Sequence, residues 1–327
     1  MKSHPRFSCK QLPGLAAAVV LGCLPARLCA QDVLQPGDGA ITAARIRNPL
    51  PVPANPGLPT LFLIGDSTVR NGQGNGAGGQ WGWGDMLAAW FDTNKINVVN
   101  RALGGTSSRS YFLTQWPLVL AMLKPGDFVI MQFGHNDGNA INDTARARGT
   151  IRGVGEEWQA IDNLLTKQHE VVHSFGWYER MIISETRRLG ATPMVCSLIP
   201  RNTWKNGRAA RNAADYAGWA AQAAQAGNAP FLDINEIIAR KYDELGRDKV
   251  QSLFIAGAGP HTSRAGAETN ALCVVAALKG LKVNPLAPCL SARADAIAPA
   301  DLTQPAPVPA VPAPVPATPA ADKATAQ

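Results

Sequence analysis

Short, nearly continuous apolar runs alternate with longer amphipathic stretches through the middle of this sequence. Apolar runs without polar alternation are typical of strands that are covered on both faces, as in a parallel sheet between helices. The runs predict strands at residues 60–64, 96–100, 128–133, 193–199 and 230–234, and the amphipathic stretches predict helices at residues 85–91, 115–123, 171–189, 208–226 and 265–281. This alternation predicts an α/β fold: a single three-layer α/β/α domain with a five-stranded parallel sheet.

Composition argues against a membrane-spanning protein and against a protein that binds nucleic acid. Hydrophobic residues make up 46% of the chain, enough for one sizeable core, and no apolar run approaches the twenty residues of a membrane span. The net charge is +7, but Lys2, Arg6, Lys10 and Arg27 lie in the first thirty residues, which contain no acid. The remaining chain has 27 basic and 24 acidic residues, a net charge of +3. Such an ordinary surface predicts neither a nucleic-acid partner nor a membrane span.

The two ends differ in composition from the middle. In residues 1–30 a basic stretch precedes an apolar one and small residues that end at Ala30, which predicts a signal peptide and a secreted or periplasmic protein. Lipid anchoring at Cys23 is a minor alternative. Residues 31–58 contain several prolines and predict an irregular lead-in to a domain at residues 59–290. Residues 291–327 hold 13 Ala and 8 Pro among 37 residues, which predicts a disordered tail.

Three cysteines remain beyond the predicted signal peptide. Cys196 lies in an apolar run and is expected to be a buried, small hydrophobic residue. Cys273 and Cys289 have a spacing that permits a disulfide bond without requiring one. The sequence has no CxxC pair and no His-rich spacing, so no metal site is expected.

Polar residues that suit acyl transfer follow the predicted strands. Ser67 comes directly after the first strand, Gly105 lies after the second, Asn136 after the third, and His261 stands before the last helix. The carboxyl ends of parallel strands meet at one edge of a sheet, where ligands bind in such folds. A serine, a histidine, an unobstructed backbone N–H and a side-chain amide are the groups of a serine esterase with an oxyanion hole. Each motif alone is weak, but their order is informative.

Together the motifs resemble the GDSL or SGNH hydrolase superfamily, closest to its rhamnogalacturonan acetylesterase branch. The resemblance spans roughly residues 59–283, and its pieces are residues 65–68, 81–84, 100–111, 132–137, 148–150, 261–263 and 265–267. It implies the flavodoxin-like SGNH fold, with Ser67 as nucleophile and His261 as general base. It also implies an oxyanion hole of the Ser67 and Gly105 N–H groups and the Asn136 side chain. The implied reaction releases acetate from an acetylated polysaccharide or oligosaccharide without a cofactor or a metal.

One position departs from the family pattern. The family has an Asp three residues before the catalytic histidine, and this chain has Ala258 there, with no acid between Asp248 and Glu268. A backbone carbonyl of the Gly-rich segment is one replacement that we consider. Asp233, after the fifth strand, is a weaker candidate, since capping of the following helix is the preferred interpretation.

Several residues near the predicted rim are candidates for substrate contacts. Thr106 stands where the family usually has Arg, and Trp81 is a candidate for stacking on a sugar. Four arginines near the predicted rim loops are candidates for binding galacturonate carboxylates, because Arg makes bidentate contacts with carboxylates: Arg109, Arg146, Arg148 and Arg152. Solvated charge and loop anchoring are the preferred interpretation of these arginines.

Two functions from different classes remain open. The first is an exported carbohydrate acetylesterase that acts on pectin-type polysaccharide by a Ser–His mechanism, with a lipid or small-ester hydrolase as the alternative within the enzyme class. The second is a catalytically impaired carbohydrate-binding protein on the same fold, suggested by Ala258.

Overall fold

The computed structural model describes residues 50–302, and its centre is a five-stranded parallel sheet. The strands are β1 (Thr60–Gly65), β2 (Asn97–Asn100), β3 (Phe128–Gln132), β6 (Thr192–Cys196) and β9 (Phe231–Leu232), in the order β2-β1-β3-β6-β9. In β1, Leu61 pairs with Val98 of β2 and with Phe128 of β3. Every strand of the sheet overlaps a predicted strand and begins within one residue of its predicted start, so the predicted fold class is confirmed.

Helices cover both faces of this sheet. They are α1 (Trp83–Leu87), α2 (Ser108–Thr114), α3 (Trp116–Leu120), α4 (Phe175–Arg188), α5 (Tyr216–Ala226), α6 (Ile234–Leu245), α7 (Arg247–Gln251) and α8 (Arg264–Gly280). Helices α1, α6 and α8 pack as one group, and α2 to α5 pack as a second. Leu61, Leu63 and Val274 belong to one buried cluster, while the alternating Phe62 and Val129 are also fully buried. Both faces are therefore core, which makes three layers.

Two short antiparallel hairpins occupy the first residues of two predicted helices. One hairpin pairs β4 (Trp158–Asp162) with β5 (His169–His173), and the other pairs β7 (Trp204–Lys205) with β8 (Arg208–Ala209). The helix predicted at 171–189 therefore begins later, because the Ser174 hydroxyl accepts a hydrogen bond from Trp177 N and caps α4. The helix predicted at 208–226 is likewise shortened to α5, and helices α2, α6 and α7 were not predicted.

The ends of the described chain are tied to the domain. In the lead-in, residues 50–58 form neither helix nor strand, and Arg101 donates a hydrogen bond to the Leu50 carbonyl at 3.1 Å. Residues 291–302, which composition assigned to a disordered tail, are ordered: Ala300 N donates to Ala276 O of α8 at 2.8 Å, and Ala294 is buried. An Ala-rich segment that cannot form its own core is thus held by the backbone and surface of α8. The predicted signal peptide, Cys23, the rest of the lead-in and residues 303–327 lie outside the described residues.

The cysteines are unpaired in the described part of the chain. Cys196 and Cys273 are buried thiols, and Cys289 is a partly exposed one. The permitted Cys273–Cys289 bond is therefore not formed in this structure. Across residues 50–302, we find no helix with the length and apolarity needed to cross a membrane.

Candidate active site

Ser67 and His261 meet at the carboxyl edge of the sheet. The Ser67 Oγ lies 2.9 Å from His261 Nε2, within hydrogen-bond distance, although 194 residues separate them in the chain. The turn after β1 requires glycine at position 65, where φ is +154° and a Cβ would lie 2.5 Å from the Gln132 carbonyl oxygen. This tight exit from the strand raises the serine hydroxyl above the sheet edge, where a substrate has access.

The buried carboxylate of Asp66 shapes the same turn. Its Oδ1 accepts hydrogen bonds from the Thr68 backbone N–H at 2.8 Å and from the Thr68 hydroxyl at 2.7 Å. Burial raises the pKa of Asp66 to about 6, although these hydrogen bonds and the charges of Arg201 and Arg148 oppose the shift. Asp66 therefore holds the backbone on both sides of Ser67.

Hydrogen bonds of its own backbone N–H and carbonyl hold His261 in the loop before α8. Its N–H donates to Ala258 O at 3.3 Å, and its carbonyl accepts from Ile255 N at 3.0 Å. The next residue, Thr262, bridges to Trp81 through Trp81 N to Thr262 O at 3.0 Å and Thr262 Oγ1 to Trp81 O at 2.8 Å. Trp81 thus helps to place the histidine loop through its backbone, and its role in stacking on a sugar stays a prediction.

Among the described residues, no carboxylate is hydrogen-bonded to the imidazole of His261. Within residues 50–302, the Ser67 hydroxyl is the hydrogen-bond partner of the His261 ring, and neither an acid nor a backbone carbonyl bonds the other ring nitrogen. Burial, followed by the charge of Arg201, lowers the pKa of His261. The neighbouring His135 has two buried ring nitrogens without a partner among the described residues, and its pKa falls to about 3 through burial, Arg201 and His261. The charge of Arg201 therefore disfavours protonation of the His261 imidazole.

Asp233 does not replace the missing acid. Its Oδ1 accepts hydrogen bonds from the Ser197 hydroxyl at 2.8 Å and from Glu236 N at 3.2 Å, so it is the N-cap of α6. Burial raises its pKa. The candidate acid role is corrected, and the preferred capping interpretation holds, because the first turn of α6 needs acceptors for its free N–H groups.

Hydrogen-bond donors lie on or against the loop that passes beside Ser67. A Cβ placed on Gly104 would lie 3.5 Å from the Ser67 Cβ, so the loop after β2 passes directly beside the nucleophile candidate. Gly105 has a φ of +85°, and within residues 50–302 neither its N–H nor that of Ser67 donates to a protein acceptor. The Asn136 amide donates to Thr106 O at 2.8 Å, which brings its Nδ2 to the same loop. These groups have the chemistry to stabilise an oxyanion.

Two predicted substrate contacts are instead structural. The Thr106 side chain is buried and donates to Leu103 O at 2.7 Å, which closes the loop of residues 103–106. Arg109 is 1% exposed and makes a bidentate pair with Glu170 at 2.6 and 2.7 Å. Its remaining nitrogen donates to Ile141 O and Gly149 O. The substrate role of Thr106 and Arg109 is thus corrected, and the loop-anchoring interpretation of Arg109 is the right one.

Arg148 contacts the loop that carries Gly105. Its guanidinium donates a hydrogen bond to the Gly105 carbonyl oxygen. This contact fixes the peptide that follows Gly105 and hence the orientation of the loop. The structure therefore gives Arg148 a positioning contact, and direct binding of substrate by this residue stays a prediction.

Two further residues of the site were not assigned from the sequence. The buried carboxylate of Asp137 accepts from Ser108 N at 2.9 Å and from Gly134 N at 3.0 Å, which joins the second and third loops. Burial raises its pKa to about 7. Arg201 follows β6, and its Nη1 lies 3.8 Å from where a Cβ on Gly259 would be. The rule that chemistry collects at strand ends would have found Arg201, because it stands just beyond one.

Among the residues that the structure describes, no group of three or more His, Cys, Asp or Glu side chains is arranged to hold a metal ion. The site's described chemistry consists of a hydroxyl, an imidazole and several N–H donors.

Comparison with known proteins agrees with this geometry. A family model described as the GDSL-like lipase/acylhydrolase family matches residues 63–268. Rhamnogalacturonan acetylesterase from Emericella nidulans is 30% identical over 60% of this chain and 75% of that protein. The probable rhamnogalacturonan acetylesterase YesY from Bacillus subtilis is 28% identical over 68% of this chain and 93% of that protein.

A solved structure shows the same fold. The crystal structure of the YxiM protein from Bacillus subtilis matches with a TM-score of 0.55 and 24% identity, over 68% of this chain and 56% of that one. The matched part is therefore little more than half of YxiM. From the family match, the relatives and the predicted motifs, this chain belongs to the GDSL-like lipase/acylhydrolase family and is a carboxylic ester hydrolase.

Proposed function

We propose that this protein is an exported serine esterase that removes acetyl groups from pectin-type polysaccharide. The observation that carries the proposal is the 2.9 Å contact of Ser67 Oγ with His261 Nε2 beside the donors of Gly105 and Asn136. The relatives named rhamnogalacturonan acetylesterase support the substrate class. Export rests on the signal-peptide pattern of residues 1–30.

The proposed reaction has two acyl-transfer steps. Ser67 Oγ attacks the carbonyl carbon of the acetyl ester while His261 Nε2 accepts the hydroxyl proton. The N–H groups of Ser67 and Gly105 and the amide of Asn136 stabilise the oxyanion of the tetrahedral intermediate. The intermediate expels the sugar oxygen, which takes the proton from His261, and acetyl-Ser67 remains. Water, activated by His261, then releases acetate and restores the serine.

Catalysis in this proposal depends on a Ser–His dyad. With Ala258 in place of the acid, the imidazolium formed during the reaction lacks a carboxylate, and Arg201 repels it. The lowered pKa keeps His261 neutral, and able to act as a base, down to a lower pH than usual. The same shift weakens it as a base, so the enzyme is expected to be slower than one with the full triad.

The missing acid also favours a second function. A catalytically impaired carbohydrate-binding protein would keep the fold and the cleft without turnover, and Ala258 is the specific observation in its favour. A lipid or small-ester hydrolase is an alternative within the enzyme class, and the similarity to the rhamnogalacturonan acetylesterases argues against it.

Acetate release decides between these functions. The purified protein is assayed on acetylated rhamnogalacturonan and on a small acetyl ester, with Ser67→Ala as the control. Release from the polysaccharide that is abolished in Ser67→Ala supports the proposal. Release from the small ester alone supports the small-ester hydrolase. Binding of acetylated oligosaccharide by folded protein, without release, supports the impaired binding protein.

A further inference from the structure

A groove of about 650 Å³ begins beside the candidate oxyanion hole. Gly138 and Asn139 line it, and Gly138 is two residues beyond Asn136, at most about 7 Å along the chain. Asn139 Nδ2 donates to Asn136 O at 2.8 Å, so one wall of the groove is bonded to the catalytic loop. The groove therefore lies along the segment that carries Asn136, in the same side-chain-to-backbone hydrogen-bond network as the candidate oxyanion hole.

Backbone hydrogen bonds make the floor of the groove rigid. Thr150 N donates to Asp137 O at 3.0 Å, and Gly149 N donates to Ala140 O at 2.9 Å. A Cβ on Gly149 would lie 2.0 Å from Asn139 O, so the two floor segments are in close contact. The groove is consequently a preformed feature, which lowers the ordering cost of binding.

Trp158 of the β4–β5 hairpin forms an apolar wall of this groove. Its side chain is 64% exposed, the most exposed Trp of the described chain, and within residues 50–302 no aromatic ring stacks on it. An aromatic side chain of this size presents a large, rigid apolar face to a ligand. The C–H face of a pyranose ring suits an indole platform of this kind, while Gln159 beside it offers hydrogen bonds to hydroxyl groups.

Arg152 supplies a positive charge to the same groove. Its guanidinium lies 5.2 Å from the Trp219 ring and 5.9 Å from the Tyr216 ring, and these cation–π contacts hold it in place without neutralising its charge. Within residues 50–302, no carboxylate pairs with it. The guanidinium of an arginine beside aromatic rings can still use the N–H groups at its edge for a bidentate contact with a carboxylate.

The acids near the groove do not oppose such a contact. The Asp137 carboxylate turns inward to Ser108 and Gly134. Glu156 pairs with Arg180, and neither Glu156 nor Glu157 lines the groove. An anionic sugar therefore meets an unpaired arginine and polar amides there.

We propose that this groove is a subsite for a uronic acid residue of the same polymer chain that carries the acetyl group, with Trp158 as its stacking platform and Arg152 as its carboxylate partner. The proposal rests on the proposed function for the identity of the polymer. Its test measures binding, so it does not depend on turnover.

Calorimetric titration tests the subsite in the full chain carrying Ser67→Ala. The probes are a non-acetylated rhamnogalacturonan oligosaccharide and the same oligosaccharide with its carboxyl groups reduced to alcohols. We expect Trp158→Ala to weaken binding of the native probe at least about fivefold and Arg152→Gln about tenfold, the latter equal to about 1.4 kcal/mol. Arg152→Gln is also expected to erase the preference for the native over the reduced probe. Trp158→Tyr, which keeps an aromatic face, is expected to retain most of the affinity.

Val171→Ala is the matched control. Val171 lies on the same hairpin, opposite Ala160, is 42% exposed and does not line the groove. It is expected to bind like the parent protein, and thermal unfolding midpoints establish that each variant is folded. Equal binding by the parent, Trp158→Ala and Arg152→Gln overturns the proposal, as does equal affinity of the parent for both probes or no binding of either. Failure of acetate release in the wild-type protein refutes the proposed esterase function. The binding measurements still test the subsite in that case, because they do not require turnover.

Discussion

Restoring the missing acid with Ala258→Asp tests how His261 works. Ala258 O accepts a hydrogen bond from His261 N, so the two residues close a turn that brings their Cα atoms within about 7 Å. A carboxylate about 4 Å from an imidazolium interacts by about 4 kcal/mol at an effective dielectric constant of about 20. That energy equals about three pKa units or about a thousandfold in rate. Arg201 will take part of this gain by pairing with the new carboxylate.

The assay is acetate release from a small acetyl ester across a range of pH. We expect kcat for Ala258→Asp to rise by at least about tenfold, below the ceiling of about 10⁴ that a triad acid contributes. The acid limb of the kcat/KM profile is expected to move to higher pH, because a neighbouring negative charge raises the pKa of an imidazole. Ala258→Asn is the matched control, since it offers a hydrogen-bond acceptor without charge. A folded Ala258→Asp protein with an unchanged kcat and an unchanged acid limb would refute the dyad reasoning.

Three other perturbations test the structural roles. Asn136→Ala is expected to lower kcat by about 10² to 10³ with little change in KM, as measured by steady-state kinetics, because it removes an oxyanion donor. Arg109→Met is expected to destabilise the fold by about 3–5 kcal/mol in denaturant unfolding, because it leaves the Glu170 carboxylate and two carbonyls without their donor. Burial raises the pKa of Glu179, which is 1% exposed, so the folded state holds this proton more tightly than the unfolded state. Its contribution to stability is present at low pH and is lost as pH rises through the raised pKa, so Glu179→Gln is expected to lose less stability than the wild type between about pH 4 and pH 8 in thermal unfolding.

The sequence predicted the sheet well because its signal is local. Strands covered on both faces must be apolar throughout, and each of the five runs became a strand of the parallel sheet. The hairpin β4–β5 was missed because it is mostly exposed: Ile161 and Val172 are buried among polar or exposed neighbours, which gives no clear apolar run. The boundary of α4 was misplaced for a different reason, since Val171 and Val172 of β5 stand just before Ser174 and extend the apolar pattern of the helix.

The composition of the site was also readable from the sequence, since the motifs lie directly after strands whose carboxyl ends share one edge. Ser67 and His261 are brought to 2.9 Å by that shared edge. The order of apolar runs and the four motifs therefore determined the fold class, the family and the set of groups available for chemistry.

Only the tertiary structure decided what the rim residues do. An arginine in a loop has the same local pattern whether it binds a ligand or a buried acid, and Arg109 pairs with a glutamate 61 residues away. Asp233 likewise accepts hydrogen bonds from Ser197 and from the start of α6, and it does not bond His261. Arg152, one of several rim arginines, remains without a carboxylate partner among the described residues and faces a groove. Such pairings depend on which distant segments packing brings together, so no local pattern in the sequence encodes them.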